Sequence, residues 1–236
     1  MVYQYFKIEF NSYQELFDLK KPIEIFKRFV DNIGDNRIIG CNFNKYYDPT
    51  RGNIHPCLDI RMNFINAEQA NAWRTIQNTA EQLLTSNKIR WWNNRPETWN
   101  EPSFVVKAHE IATNCAIEFK EQLDLNDLTY QKLMGNPDEF MWIFAVSLLK
   151  HSRFNPYVAW TYLRSSIPTD IDDIANVCSQ ILLNAIGNLR PKPDFVERFI
   201  HAFFNCTISS EQKLLNILGA SQIFNKIVDS WQRTQL

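Results

Sequence analysis

The stretch "CLDIRMNF" at residues 57–64 decides how the rest of the chain is read. Leu58, Ile60, Met62 and Phe64 alternate with Asp59, Arg61 and Asn63, the period of a strand with one apolar and one polar face. Just upstream, "DPTRGN" at 48–53 supplies proline and glycine turn chemistry. Residues 37–47 read as a strand too, so the two form a hairpin. Further out, residues 2–10 set Val2, Phe6, Ile8 and Phe10 on one side and Tyr3, Tyr5, Lys7 and Glu9 on the other. A helix from Pro22 to Ile33 follows, with proline in its first turn and Ile25, Phe26, Phe29, Val30 and Ile33 on one stripe. Gly34 is its stop. Downstream, Asn66 can cap a helix through Thr85 whose Trp73, Ile76, Ala80, Leu83 and Leu84 share a face. "KIRWW" at 88–92 then reads as the last strand. The order is β-α-β-β-α-β, a split βαβ or ferredoxin-like pattern.

Beyond Ser103 the patterning is helical, with helices expected at 103–123, 137–151, 156–165, 171–187, 193–206 and 210–232. The fold class is therefore α+β: an α/β sheet region over 1–95 and a helical region over 96–236. The polar "NNRPETWNEP" at 93–102 connects them. The helices can pack on the sheet as a single unit.

Composition removes several classes of function. With 236 residues and 45% hydrophobic side chains the chain has ample material for a core. A formal charge of −1 with no basic stripe argues against a nucleic-acid partner, whose phosphates would call for one. Only six glycines occur, and neither GxGxxG nor GxxxxGK[ST] is present, so a phosphate-cradling loop is not expected. The cysteines at 41, 57, 115, 178 and 206 are odd in number and lack a CxxC pair, which reads as free buried thiols rather than a metal site. No signal peptide and no apolar run of membrane-spanning length is seen, which points to a reducing cytoplasm.

Four histidines bound the acid–base chemistry. His109 has no second ligand at i+4 and reads as structural, His151 caps a helix C-terminus, and His55 belongs to the hairpin connection. Trp91, Trp92, Trp142 and Trp160 read as core aromatics. His201 sits in "RFIHAFFNC" at 198–206, where Glu197, His201 and Asn205 recur every four residues opposite a wide apolar arc. That stripe is either the solvent face of an amphipathic helix or an imidazole tuned by a carboxylate one turn away. On the hairpin, Arg61 is a ready anion-binding group if its face lines a cleft, and Lys45 is placed near it.

Three stretches in order resemble a known family. "FNKYYD" at 43–48, "CLDIRMNF" at 57–64 and "HAFFNC" at 201–206 are similar to signatures of the C-terminal elimination domain of lantibiotic dehydratases. They equally resemble the related stand-alone proteins of thiopeptide-type bacteriocin biosynthesis. The resemblance implies a lyase that removes glutamate from glutamylated serine or threonine of a precursor peptide, or a cyclase that joins two dehydroamino acids. It needs no cofactor and no metal. Carried over by position, His201, Arg61 and Lys45 would be the catalytic residues, and Asn205, Asp59 and Tyr46 would contact substrate. The implied partners are the modified precursor peptide and a separate glutamylating or other biosynthetic protein. Several positions depart from the pattern. Lysine stands at 45 and aspartate at 59 in place of arginines, Cys57 replaces a histidine, Cys206 replaces an arginine, and a Glu-Arg-Tyr-Gly-Gly pattern is missing near 90–105. The alternative is a non-catalytic protein of the same fold that binds peptide or scaffolds partners.

Overall fold

A computed structural model describes residues 2–33, 38–48, 53–64, 82, 90–93, 97–98, 102–135, 137–152, 167–187 and 192–207. Strand β1 (Val2–Glu9) is followed by a short helix α1 (Tyr13–Phe17) and by α2 (Lys21–Ile33). The hairpin β2 (Ile38–Asp48) and β3 (Asn53–Phe64) comes next, then β4 (Arg90–Asn93) and β5 (Glu97–Thr98). Every pairing is antiparallel, the order is β2-β3-β1-β4, and β5 pairs the start of β1. β1 and β2 therefore run parallel on either side of β3, joined by α1 and α2, as a split β-α-β arrangement requires. The helix expected over 67–85, and those over 156–165 and 210–232, fall outside the described residues.

Register confirms why the hairpin decides the fold. Leu58, Ile60, Met62 and Phe64 are fully buried on one face, together with Ile8 of β1 and Phe43 of β2. Each contributes about 1.5–3 kcal/mol by leaving water. α2 lies on this face, its Ile23, Phe26 and Phe29 buried and the Phe26 ring 4.5 Å from that of Phe43. Its start is fixed by Asp18, whose Oδ1 accepts the backbone N–H of both Lys20 and Lys21 at 2.7 Å.

The second half is helical as expected: α3 (Ser103–Leu125), α4 (Asp127–Gly135), α5 (Pro137–His151), α6 (Thr169–Ile186) and α7 (Pro193–Thr207). Phenylalanines join three of these helices, with the Phe144 ring of α5 tilted against Phe119 of α3 at 4.6 Å and stacked on Phe203 of α7 at 5.3 Å. At the start of α6, Asp172 gathers Ser147, Lys150 and His151 from the end of α5. His151 lies in the last turn of α5 as expected, and its partner there is the Asp172 carboxylate of α6, at 3.0 Å. One hydrophobic cluster runs from sheet residues such as Ile8 and Ile60 through Phe119, Leu182 and Phe203.

Three expectations are corrected. His55 lies within β3, which begins four residues before the apolar alternation starts, because pairing with β2 continues outward past Cys57. The polar connection at 93–102 contains β5, held by pairing to Val2 and Tyr3 rather than by any apolar pattern of its own. α1 and α4 carry too few apolar residues to be seen by periodicity; α1 is marked only by Ser12, whose hydroxyl accepts the Glu15 N–H.

Candidate functional site

The polar face of the sheet is built from rows set by register. Asn42, Arg61 and Tyr5 form one row, Asn44, Asp59 and Lys7 the next, and Gly40, Asn63 and Tyr3 a third. A face opposite an apolar one is expected to be solvated, yet Asn42, Asn63, Asp59 and Asn44 are all buried. Arg61 is half-buried among them. Among the described residues, both amide atoms of Asn42 and Asn63 Oδ1 are buried without a hydrogen-bond partner, and an unmet buried amide normally costs about 1–3 kcal/mol. Asp59 faces Lys7 at 3.9 Å and accepts from the Cys57 thiol at 3.8 Å, so it works within the sheet.

At the outer margin of this face, Asn63 Nδ2 donates to Glu110 Oε1 of α3 at 2.8 Å. Gly40 makes that reach possible: a Cβ there would stand 1.9 Å from the same oxygen. Burial pushes the Glu110 carboxyl up, while the Asn63 hydrogen bond and the Lys107 charge oppose the shift.

Lys45 lies elsewhere. It pairs with Leu58, so its side chain belongs to the apolar face, opposite Arg61, and it is 1% exposed. Nζ donates to the backbone carbonyl of Asp18 at 2.8 Å and to that of Thr207 at 2.9 Å, tying β2 to the end of α1 and to the last turn of α7. Burial lowers its pKa to about 7, against the pull of Asp18 and Cys206. Both contacts of Nζ are to backbone carbonyls, which the two N–H donors of a neutral amine satisfy as fully as an ammonium would. The sequence placed Lys45 beside Arg61. Strand alternation separates them, and Lys45 is a buried structural group rather than part of a solvent-reachable cluster.

α7 carries the remaining candidates. His201 is exposed and Asn205 half-buried on one stripe, while Phe199, Ala202, Phe203 and Cys206 are buried, as the helical wheel anticipates. The side chains of Glu197 and Tyr46 fall outside the described residues; by register, Tyr46 sits opposite Cys57 on the Arg61 face. Cys206 Sγ donates to the Phe43 carbonyl at 3.1 Å, and the Phe43 N–H donates to Thr113 Oγ1 at 3.4 Å. β2 is the edge strand, and at Phe43 α3 and α7 cover that edge with side chains.

Among the described residues, no group of three or more His, Cys, Asp or Glu is placed to hold a metal ion, and no helix is long and apolar enough to cross a membrane. All five cysteines are free thiols, four of them buried. Sequence reading set Asn63 on the polar face beside Arg61 but missed Asn42 and Glu110. The only trace they leave is a run of asparagines inside strands, where such side chains are depleted.

No protein-family model matches the sequence, and no curated protein matches it. The α+β architecture does have a counterpart among solved structures. It is similar to the crystal structure of the tRNA dependent lantibiotic dehydratase MibB from Microbispora sp. 107891, with a TM-score of 0.51 at 12% sequence identity. The match covers 89% of this chain and 26% of that one, so the chain spans about a quarter of the length of that protein. At this identity the likeness is one of fold, and it falls in the family that the three signatures resemble.

Proposed function

We propose that this protein takes part in the biosynthesis of a ribosomally made, modified peptide of the lantibiotic or thiopeptide kind, and that it engages the precursor peptide through the Arg61 face of its sheet. The observation that carries this reading is the meeting of the three signatures in space. β2 and β3 pair residue by residue, and Cys206, the last residue of the third signature, bonds to Phe43, the first residue of the first. The likeness to a quarter of a lantibiotic dehydratase supports the same setting.

Peptide binding is favoured over glutamate elimination. Elimination needs a cation for the leaving carboxylate and a base for the α-proton on the same side of one site. Lys45 is on the opposite face from Arg61. Arg61, by contrast, can hold one carboxylate with two parallel hydrogen bonds, next to a buried carboxamide at Asn42 that matches a peptide group. The lyase reading is kept as second because His201 is exposed and shares its stripe with Asn205.

Incubation with a glutamylated precursor peptide separates the two. Binding without change of mass is expected, with Arg61→Ala weakening affinity roughly tenfold or more, the worth of a hydrogen bond to a charged group. His201→Ala should leave affinity unchanged. Loss of glutamate by mass spectrometry, abolished by His201→Ala, would overturn the binding reading in favour of the lyase. No binding at all would remove both.

A further inference from the structure

A cleft of about 440 Å³ opens between α2, the outer edge of β2 and α3, meeting the Arg61 face only at its margin, where Glu110 reaches Asn63. Phe26 and Val30 of α2 and Ile117 of α3 form apolar walls, and Gly40, Cys41 and Glu110 line the side towards the sheet. A volume of this size suits a side chain with part of its backbone.

Its chemistry centres on Glu110. The carboxylate is half-buried, Oε1 is held by Asn63, and among the described residues it has no ion-pair partner. Lys107 acts on its charge without forming an ion pair, and the remaining groups around it do not neutralise it. Asp31 on the rim adds a second negative charge, and Lys27 on the same rim is engaged with Glu121. Cys41 stays a neutral thiol, since its own burial and the Glu110 charge both push its pKa up. Gly40 leaves the space that the carboxylate occupies, so the chain has made room for an anion at a strand edge.

The edge supplies backbone partners as well. Phe43 turns its N–H and carbonyl outward, where Thr113 and Cys206 take them. Alternation along an antiparallel strand turns those of Cys41 outward too, two residues nearer the cleft.

We propose that this cleft binds a lysine side chain carried on an extended peptide: the ammonium meets Glu110, the methylenes lie along Phe26, Val30 and Ile117, and the peptide backbone pairs with Cys41. The site is independent of the Arg61 reading. A buried carboxylate with an acidic rim selects a cation, apolar walls select an alkyl stem over a bare metal ion or ammonia, and an open edge selects a strand-like backbone.

The test titrates the isotope-labelled full chain with two capped tripeptides, Ala-Lys-Ala and Ala-acetyllysine-Ala, and follows backbone amides by NMR. The lysine peptide should shift the amides of Gly40 and Cys41 and bind roughly tenfold tighter than the acetylated one, the difference a single half-buried ion pair makes. Glu110→Gln, which keeps an acceptor for Asn63, should erase that ratio. Val30→Trp, changing a half-exposed wall of the cleft, should block both peptides while leaving the far-ultraviolet spectrum unchanged. Equal affinity for the two peptides, a ratio that survives Glu110→Gln, or shifts that map away from the cleft would each overturn the proposal. Binding of n-butylammonium as tight as that of the lysine peptide would overturn its backbone component.

Discussion

Replacing Lys45 with alanine is expected to destabilise the protein by about 3–5 kcal/mol, because the carbonyls of Asp18 and Thr207 lose their donor inside the core and a cavity replaces the stem. Lys45→Met keeps the stem and isolates the polar part of the effect. The pH dependence gives an independent check. With the folded pKa near 7 and an unfolded value near 10.5, the unfolded chain holds a proton that the folded chain lacks between those values. Stability contributed at this position therefore rises from pH 7 towards pH 10. Urea unfolding of wild type and Lys45→Met, measured side by side, should show the gap widening with pH, other titrations being common to both. A gap that stays constant between pH 7 and pH 10 would mean that Lys45 stays charged in the folded protein. In either case the variant leaves the Arg61 face intact, so peptide affinity should follow the folded fraction and nothing else.

Cys206→Arg introduces the residue carried at that position by the signature that the stretch resembles, and it is expected to be among the most damaging single changes in the chain. The thiol is 1% exposed and lies between the Phe43 carbonyl and Thr113. A guanidinium there overfills the site, which costs about 1–3 kcal/mol, and buries an unpaired charge, which costs several more. It would also face Lys45, close enough for the two positions to interact electrostatically. A loss of roughly 10 °C or more in Tm is the expected reading, given about 2–4 °C per kcal/mol for a chain of this size. Cys206→Ser, nearly isosteric, should cost far less. If Cys206→Arg melts within a couple of degrees of wild type, α7 is not docked on β2 as described. The departure from the signature is thus coupled to a second one: a lysine at 45 and a cysteine at 206 occupy one junction, and neither position suits an arginine alone.

The hairpin, β1 and the long helices were legible because each buries one regular face, and a buried face writes its period into the sequence. Leu58, Ile60, Met62 and Phe64 did so for β3, and Phe199, Ala202, Phe203 and Cys206 did so for α7. β5 was not legible, since two residues held by backbone pairing to Val2 and Tyr3 need no particular side chains. The site was read in part. His201 and Asn205 stand on the polar stripe where the wheel put them, and Arg61 is on the face opposite the apolar row. What one strand cannot reveal is the phase of its neighbour. Lys45 looked like a companion of Arg61 until the register set it opposite Leu58. Glu110 was invisible for a related reason: its role depends on a glycine 70 residues away that leaves the carboxylate its space.

The closure of the β2 edge sets an order of events during synthesis. The sheet is encoded first, yet the groups that finish its border, Cys206 on Phe43 and Thr207 on Lys45, lie 163 and 162 residues further along the chain. Contacts of such sequence separation form late, because the intervening chain must be ordered before they are rewarded. Until α7 arrives, the growing polypeptide presents an unpaired strand border to its surroundings, the kind of surface on which chains pair wrongly with one another. Stopping synthesis before Pro193 should therefore yield a product that self-associates more than the chain carrying α7, which size-exclusion chromatography of the two would show.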